Sequence, residues 1–370
     1  MLTTAIIFLI ILSLLVFVHE LGHFVVARLI GVKVEEFGFG LPPRIFGKKI
    51  KGTIYSLNWL PIGGFVRLAG EDDPASAGAS AGKGENKEHR SIGFTQKNVK
   101  HLFWARSKKE RAAILLAGVA MNFLLAVVLT TYLLVQGVPV PSGRVHIEKV
   151  LLGSPAESIG LKAQDIVIAI GGKMLTTPKE LIEETKTRLG EQITLTILRD
   201  GKELSMTLTP RKDYPKGEGP MGVAISDLEI KKYPLSTAPI EATKINLSRA
   251  KEMVTGIGQI ITRLVTLKPL GADVAGPIGI AQVTGQAVKF GLSAVLEFMS
   301  ILSLNLAVLN VLPIPALDGG RLLFVFAEKI LGRKVAPAFE RSTHQIGMII
   351  LFILILLVSI NDILRITRGG

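Results

Sequence analysis

Long runs of uncharged, apolar residues limit the folds open to this chain. Residues 112–142 contain no charged side chain, and the runs 298–317 and 346–360 are equally free of charge. A further run, residues 4–30, carries titratable side chains only in its second half. Because a helix needs about 20 mostly apolar residues to cross a bilayer, these runs predict a polytopic α-helical membrane protein with four transmembrane helices.

The first run differs from a secretory signal peptide. It lacks a basic start and a small-residue cleavage site, and its apolar character continues beyond His23. We therefore expect this helix to be retained.

The distribution of basic residues predicts the orientation of the helices. Residues 28–111 hold 16 Lys and Arg against 8 Asp and Glu, and five more basic residues lie between the third and fourth runs. Cytoplasmic loops of membrane proteins are enriched in Lys and Arg, so both regions are predicted to be cytoplasmic. An even number of helices then places both termini and the region 137–290 outside. The excess of Lys and Arg in cytoplasmic loops accounts for the net charge of +13. The sequence shows no basic face interleaved with aromatic residues, so no nucleic-acid partner is expected.

The segments between the runs differ in composition. Residues 33–72 contain short β-type runs, whereas residues 73–110 form a cytoplasmic linker and juxtamembrane segment whose first part, 73–91, is polar and Gly-rich. Alternating strand patterns, two short helix signals and an Arg-Asp-Gly turn predict a compact α/β domain over residues 138–212. Residues 213–291 turn helical and include a Gly/Pro-rich connector, "GADVAGPIGIAQVTG". The four helices are assigned to the ranges 1–32, 111–137, 292–332 and 333–370, the last of which begins with a loop.

The stretch "TIYSLNWLPIGGFVRL", inside residues 33–72, is too apolar for a solvated loop. Backbone at membrane depth must pair its polar groups. We therefore expect a membrane-reentrant β-hairpin packed against the helices.

The titratable residues of the first run form the pattern His19-Glu20-x-x-His23. Positions i and i+4 lie on one face of a helix, so both imidazoles can bind one zinc ion. Glu20 lies beside them and can take a proton from water that the metal activates. Ionisable groups at membrane depth are costly and commonly mark function. The pattern therefore predicts a metallopeptidase centre, the alternative being two histidines satisfied by neighbouring backbone.

Zinc requires a third protein ligand and one open position for water. Asp318 closes the third apolar run. Pro313 and Pro315 must interrupt the helix before it, and Gly319 and Gly320 permit a turn that directs the carboxylate inward. We expect Asp318 to be this ligand; the alternative is an N-cap for the helix that follows.

Asn310 places an amide in the third apolar run, shortly before the prolines. An amide in hydrocarbon should face the protein interior, where it can donate to a substrate carbonyl or a developing oxyanion. The alternative is a hydrogen bond between helices.

Taken together, these motifs resemble the site-2 protease family of intramembrane zinc metalloproteases, in the bacterial form with one PDZ domain. "HELGHF" and "NVLPIPALDGG" are similar to its two catalytic motifs, and "LPIGGFVRLAGED" to its reentrant hairpin, with "GFG" (38–40) before it. "RAAILLAGVAMN" resembles the start of its second helix, and "AGPIGIAQ" the segment before its third. The resemblance covers nearly the whole chain and implies a multi-pass protein of the bacterial plasma (inner) membrane.

The resemblance implies that His19, His23 and Asp318 bind Zn²⁺, that Glu20 is the general base, and that Asn310 assists at the active site. It also implies membrane-protein substrates, cut within or beside a transmembrane helix, usually after another protease has trimmed the ectodomain. Anti-sigma factors and signal-peptide remnants are typical substrates.

The region outside the membrane resembles an extracytoplasmic PDZ domain through "GSPAESIGLKAQDIVIAIGGK". Gln164 replaces the usual Gly before Asp165, and Gly171 the usual Asn; in the second helix Val119 replaces a frequent Pro. We expect the fold to survive these changes. The domain is expected either to bind C-terminal peptides or to exclude intact ectodomains.

An extended substrate is expected to add as a strand to the edge of the hairpin; the alternative is a hairpin that only fills the helix bundle. The residues predicted to contact substrate are Ile54, Tyr55, Ser56, Leu57, Pro313 and Pro315.

Two other classes of function fit the residues less well. A non-catalytic membrane scaffold with a PDZ domain would not need His19, Glu20, His23 and Asp318 all intact. A metal or proton transporter should show internal repeats and more polar positions in its spans, whereas the second and fourth runs have few.

Overall fold

The computed structural model describes residues 2–71, 100–215, 217–266, 276–333 and 335–367. The predicted polar segment, 73–91, lies outside the described residues. The chain divides into two compact units, one of residues 1–133 and 235–370 and the other of residues 134–234.

The helices are α1 (Leu2–Ile30), α2 (Lys108–Gln136), α3 (Pro155–Ser158), α4 (Pro178–Thr187), α5 (Ala238–Val265), α6 (Pro277–Phe290), α7 (Leu292–Val311), α8 (Asp318–Leu331) and α9 (Pro337–Thr367). The strands are β1 (Val34–Ile50), β2 (Thr53–Leu68), β3 (Val138–Val150), β4 (Ile166–Ile170), β5 (Lys173–Met174), β6 (Ile193–Arg199), β7 (Lys202–Leu208) and β8 (Val223–Lys231).

Among the described residues, four helices are long and apolar enough to cross a membrane. They are α1, α2, α7 and α9, and each contains most of one apolar run of the sequence. On α9, side chains such as Phe352 and Leu357 are exposed, and a helix that is apolar all round is typical of a membrane span. The four predicted spans are therefore confirmed by length and composition.

A break over residues 312–317 separates α7 from α8, where the two prolines stand. Proline cannot continue a helix because its ring lacks an N–H and clashes with the preceding turn. Ala316 adopts a φ of +81°, and its N–H donates to His344 Nδ1 over 3.0 Å. Backbone groups in an apolar region need such partners, so α9 supports the break.

The small sheet of β1 and β2 packs against α1. The ring of Phe37 lies 5.4 Å from that of Phe17 and 4.7 Å from that of Phe24, measured between centroids. Ser13 Oγ also donates to Pro61 O over 2.5 Å. These contacts attach the sheet to the helix that carries the two histidines of the zinc pattern.

The two strands of this sheet are long and pair in more than one place. Residues 36–39 pair with residues 54–57 on one side and with residues 64–67 on the other. Residues 46–49 pair with the second side of residues 54–57. Among the described residues, residues 64–67 therefore pair on one side only, whereas residues 54–57 have strand partners on both sides.

The sequence prediction of a connector before the third span is wrong in part, because residues 277–290 form α6. Pro277 occupies the first turn, where its missing N–H costs nothing. Asp362 of α9 is fully buried and accepts hydrogen bonds from the N–H groups of Gly276 and Gly279 over 3.0 and 2.8 Å. This carboxylate caps the helix start, a partner that the local Gly/Pro pattern does not reveal.

The second unit is built on one sheet, whose strands lie in the order β7-β6-β4-β3-β8. The short strand β5 pairs with β4. Its buried core includes Val145, Ile147, Val167, Leu181 and Leu195. The element types are those predicted for the α/β domain. The unit extends past the predicted end at residue 212 because β8 pairs with β3.

A buried ion pair holds the turn before β4. Asp165 exposes only 2% of its surface; its carboxylate accepts from Arg199 Nε and Nη2 over 2.7 and 2.6 Å and from the Lys162 N–H over 2.8 Å. Burial opposes ionisation, but these donors outweigh it and lower the pKa of Asp165 from its ordinary value.

We expect Asp165→Asn to destabilise this unit by about 2–3 kcal/mol at pH 7, because hydrogen bonds to charged groups contribute about 1.5–3 kcal/mol. The pKa of Asp165 is lower when folded than when unfolded. Its stabilisation is therefore complete above the unfolded pKa and is lost as pH falls through the folded one. Hydrogen exchange of β4 and β6 amides in the whole protein measures both effects, with exposed Glu203→Gln as control. The same pH dependence in wild type and Asp165→Asn would contradict this role.

Candidate active site

α1 carries both histidines of the zinc pattern on its buried side. His19 and His23 expose 7% and 6% of their surface, and their Nε2 atoms lie 3.1 Å apart. This arrangement is the one expected from the i, i+4 spacing.

Asp318, the first residue of α8, completes the group. Its Oδ2 lies 3.0 Å from His19 Nε2 and 3.2 Å from His23 Nε2. One ligand atom from each of the three residues falls within a 4.8 Å span. The alternative role of an N-cap is not adopted, because the start of α8 has no side-chain cap hydrogen bond.

Gly319 and Gly320 act by leaving space and not by backbone freedom, contrary to the sequence interpretation. The glycines with positive φ include neither residue. A Cβ on Gly319 would lie 2.5 Å from Val311 O, and one on Gly320 would lie 2.5 Å from Ile314 O. Their small size lets α8 begin directly against the carbonyl groups around the break.

A hydrogen bond on the far side of His23 determines which nitrogen faces Asp318. His23 Nδ1 lies 2.8 Å from Ile114 O. A carbonyl only accepts, so Nδ1 carries a proton, and in the neutral ring Nε2 is left with the lone pair that a metal needs. That lone pair would face a carboxylate oxygen and a second imidazole nitrogen, an arrangement that a metal cation among the three atoms stabilises. Zinc, with bonds of about 2.0–2.2 Å to His and Asp, suits this donor set.

α2 approaches the histidines closely because Gly118 has no side chain. A Cβ there would lie 2.6 Å from His19 Cε1 and would also overlap His23 Nε2. On α1, a Cβ at Gly22 would lie 2.7 Å from Met121 Cγ. The two glycines allow the helices to touch at the level of the site.

Glu20 lies between the small sheet and the histidine–aspartate group. Its Oε2 accepts a hydrogen bond from the Val66 N–H over 3.0 Å. A cavity of about 230 Å³ adjoins it, which is large enough for several water molecules. The cavity is lined by Val16, His19, Glu20, Asn122, Leu306, Asn310, Ala316, Leu317 and Asp318.

Asn310 is the penultimate residue of α7, two residues before the break, and lines this cavity. Within the described residues, its side chain makes no hydrogen bond, so the helix–helix alternative is not adopted there. The amide is free to donate into the cavity.

The residues predicted to contact substrate are not all brought to this cavity. Pro313 lines a different cavity, and Pro315 packs against Gly347 of α9. Ile54–Leu57 have strand partners on both sides, so strand addition along those residues does not fit the register.

Sequence reasoning missed the contribution of α2. Ile114, Gly118 and Asn122 recur at every fourth position and therefore share one face. Ile114 acts through its carbonyl, as Val66 of the sheet acts through its N–H, and side-chain patterns do not mark backbone groups. The available signal was Gly118 and Asn122, a glycine and an amide four residues apart in an otherwise apolar run.

Comparison with known proteins gives the same assignment as the geometry. A profile of peptidase family M50 matches residues 7–354. The chain belongs to peptidase family M50. The zinc metalloprotease RasP of Geobacillus kaustophilus is 32% identical, with 96% of each chain covered. The regulator of sigma-W protease RasP of Bacillus subtilis is 30% identical, with 98% of each covered. A putative zinc metalloprotease of Clostridium acetobutylicum is 34% identical, covering 95% of this chain and 94% of its own.

This family membership confirms the expected enzyme class and metal. The chain is a membrane-embedded zinc metalloprotease of the site-2 type, and its function is intramembrane proteolysis. The scaffold and transporter alternatives find no support among these relatives. A solved PDZ domain, from the SdrC-like protein of Listeria monocytogenes, aligns with 24% of this chain and 93% of its own at 20% identity, with a TM-score of 0.21.

We expect Gly118→Ala to lower the zinc content of the purified protein severalfold, because the new Cβ would displace the His19 ring. Metal analysis of the protein in detergent measures the ratio of zinc to chain. Gly256→Ala on α5 is the matched control, since a Cβ there meets nothing within 4 Å. Equal zinc content in the two variants would contradict the close approach of α2.

Proposed function

We propose that His19, His23 and Asp318 hold the catalytic zinc and that Glu20 is the general base. The observation that carries this proposal is the convergence of three metal-ligand atoms beside a fourth ionisable group, inside a bundle of apolar helices. Two imidazoles and one carboxylate with a cavity beside them form the donor set expected of a catalytic zinc site, which keeps one position open for water.

Zinc held by these side chains supplies a Lewis acid that lowers the pKa of water towards about 7 and polarises the peptide carbonyl. Glu20 takes the proton from the attacking water and transfers it to the leaving amine. Asn310 donates a hydrogen bond to the oxygen that becomes negatively charged, since its amide lines the same cavity.

The substrates are membrane proteins cut within or beside a transmembrane helix. The apolar length of α1 on the N-terminal side of His19 supports this, because it sets the site at membrane depth. The Bacillus subtilis relative is named a regulator of sigma-W protease, which favours anti-sigma factors as one substrate class; signal-peptide remnants are another. Earlier trimming by a second protease fits a site enclosed by helices.

The substrate adds as a strand to the outer edge of residues 64–67, in place of the expected edge at Ile54–Leu57. Support comes from the register, in which residues 64–67 pair on one side only within the described chain. The Val66 N–H on that outer edge already donates to Glu20. A peptide that takes over this donor would be presented directly to the general base.

The proposed topology places both termini and residues 134–234 outside a bacterial plasma membrane. The small sheet re-enters the membrane from the cytoplasmic side, and the loop between α8 and α9 is cytoplasmic. The excess of Lys and Arg in residues 28–111 supports this orientation. The unit of residues 134–234 binds C-terminal peptides or limits access by intact ectodomains.

We expect Glu20→Gln to retain zinc and to lose cleavage of a model transmembrane substrate by a factor of about 10² or more, since general-base catalysis contributes about 10²–10⁴. Zinc analysis and a cleavage assay in detergent or vesicles provide the two readouts. Exposed Glu203→Gln should match wild type in both. Undiminished cleavage by Glu20→Gln would refute the assigned role.

Strand addition predicts that Val66→Pro slows cleavage at least tenfold, because proline removes the outward N–H while remaining tolerated at a sheet edge. Val66→Ala keeps that N–H and should cleave at nearly the wild-type rate. Equal zinc content in both variants would show that the metal site persists. If Val66→Pro cleaved as fast as Val66→Ala, the substrate edge would lie elsewhere.

A further inference from the structure

The two zinc-pattern histidines both direct Nδ1 towards α2, but only one of these contacts is chemically complete. His23 Nδ1 meets the carbonyl oxygen of Ile114 at 2.8 Å. His19 Nδ1 meets Nδ2 of Asn122 at 3.4 Å. Asn122 is fully buried, and its Oδ1 has no hydrogen-bond partner among the described residues.

With its Nδ2 towards His19 Nδ1, the Asn122 amide conflicts with the role proposed for His19. An imidazole that offers Nε2 to a metal carries its proton on Nδ1, which must then donate. The Asn122 Nδ2 group is also a donor, so the two atoms cannot form a hydrogen bond. The oxygen and nitrogen of an amide have nearly the same shape. A half-turn of the amide brings Oδ1 to His19 and pairs this buried acceptor.

We propose that Asn122 is a positioning residue for the zinc site, whose Oδ1 accepts the Nδ1–H of His19 and fixes its tautomer and ring orientation. This inference rests on the proposed role of His19 as a zinc ligand. Ile114 and Asn122 lie eight residues apart on the α2 face that also carries Gly118. One face of one helix thus orients both imidazoles, through a carbonyl for His23 and an amide oxygen for His19.

A purely structural role for Asn122 can be separated from this one. The contact of Asn122 with α7 runs through its backbone carbonyl, which accepts from Ser303 Oγ over 2.8 Å. Ser303→Ala removes that interhelical bond and leaves the Asn122 side chain in place. Asn122→Leu removes the side-chain acceptor at similar volume, and Asn122→Asp keeps an oxygen at either amide position.

The test is the zinc affinity of the full-length protein in detergent, measured by competition with a chromophoric chelator. Loss of a partner that orients a metal ligand typically lowers affinity about 10–100-fold, and we expect this for Asn122→Leu. Asn122→Asp should recover most of the loss, and Ser303→Ala should bind as wild type does. The visible spectrum of the cobalt-substituted protein should change in Asn122→Leu and not in Ser303→Ala.

A measurement on the wild type guards against variants that fail to fold. Nitrogen-15 NMR of labelled histidine in the zinc-loaded protein, assigned with His19→Gln, should show the proton of His19 on Nδ1. Any of three results would overturn the inference. They are a proton on His19 Nε2, wild-type zinc affinity in Asn122→Leu, and an equal loss of zinc affinity in well-folded Asn122→Leu and Asn122→Asp. If the wild type itself bound no zinc, the proposed ligand set would fail instead, so the two failures are distinguishable.

Discussion

The site is organised around three metal-ligand atoms that share a small volume. Two imidazole nitrogens and one carboxylate oxygen lie 3.0–3.2 Å apart, and the other nitrogen of His23 donates to Ile114 O. In their unprotonated forms these atoms repel one another, and strongly so in surroundings of low dielectric constant. A bound metal cation converts that repulsion into attraction, and supports on α1, α2 and α8 hold the atoms in place for it.

Those supports solve a second problem, which is how to interrupt a helix inside an apolar bundle. The break between α7 and α8 leaves backbone groups without helical partners, and such groups are costly away from water. His344 accepts the N–H of Ala316, and the absence of side chains at Gly319 and Gly320 lets α8 start against the carbonyl groups of the break. The interruption turns Asp318 towards α1, and the same interruption places Asn310 at the cavity.

The sequence predicts well whatever depends on local spacing. His19 and His23 share a face because they are one helical turn apart, and the apolar runs locate the four long helices. The non-local features were harder. Residues 54–57 look like an edge because they are apolar and β-prone, but residues 36–39 pair with them on one side and residues 46–49 on the other. α6 starts at a Gly-Pro pair only because a carboxylate from α9, distant in sequence, caps it.

Helix α2 shows most clearly why hydropathy alone describes such a protein incompletely. Its polar contacts towards its neighbours recur at intervals of four or eight residues. The carbonyl groups of Ile114, Asn122 and Ala126 accept from His23, Ser303 and Ser300, in that order. Thr130 Oγ1 pairs with Ser300 and Asn246. Most of these acceptors are backbone atoms and are invisible in a pattern of side chains. Small and hydroxyl-bearing residues allow helices to approach closely in a membrane, and here several such contacts together set the rotation of α2 about its axis. A rotation by one residue, about 100°, would move Gly118 away from the imidazoles and place Val119 or Ala117 against them. The zinc site therefore depends on the close approach of α2 at Gly118, although α2 contributes none of the three proposed metal ligands.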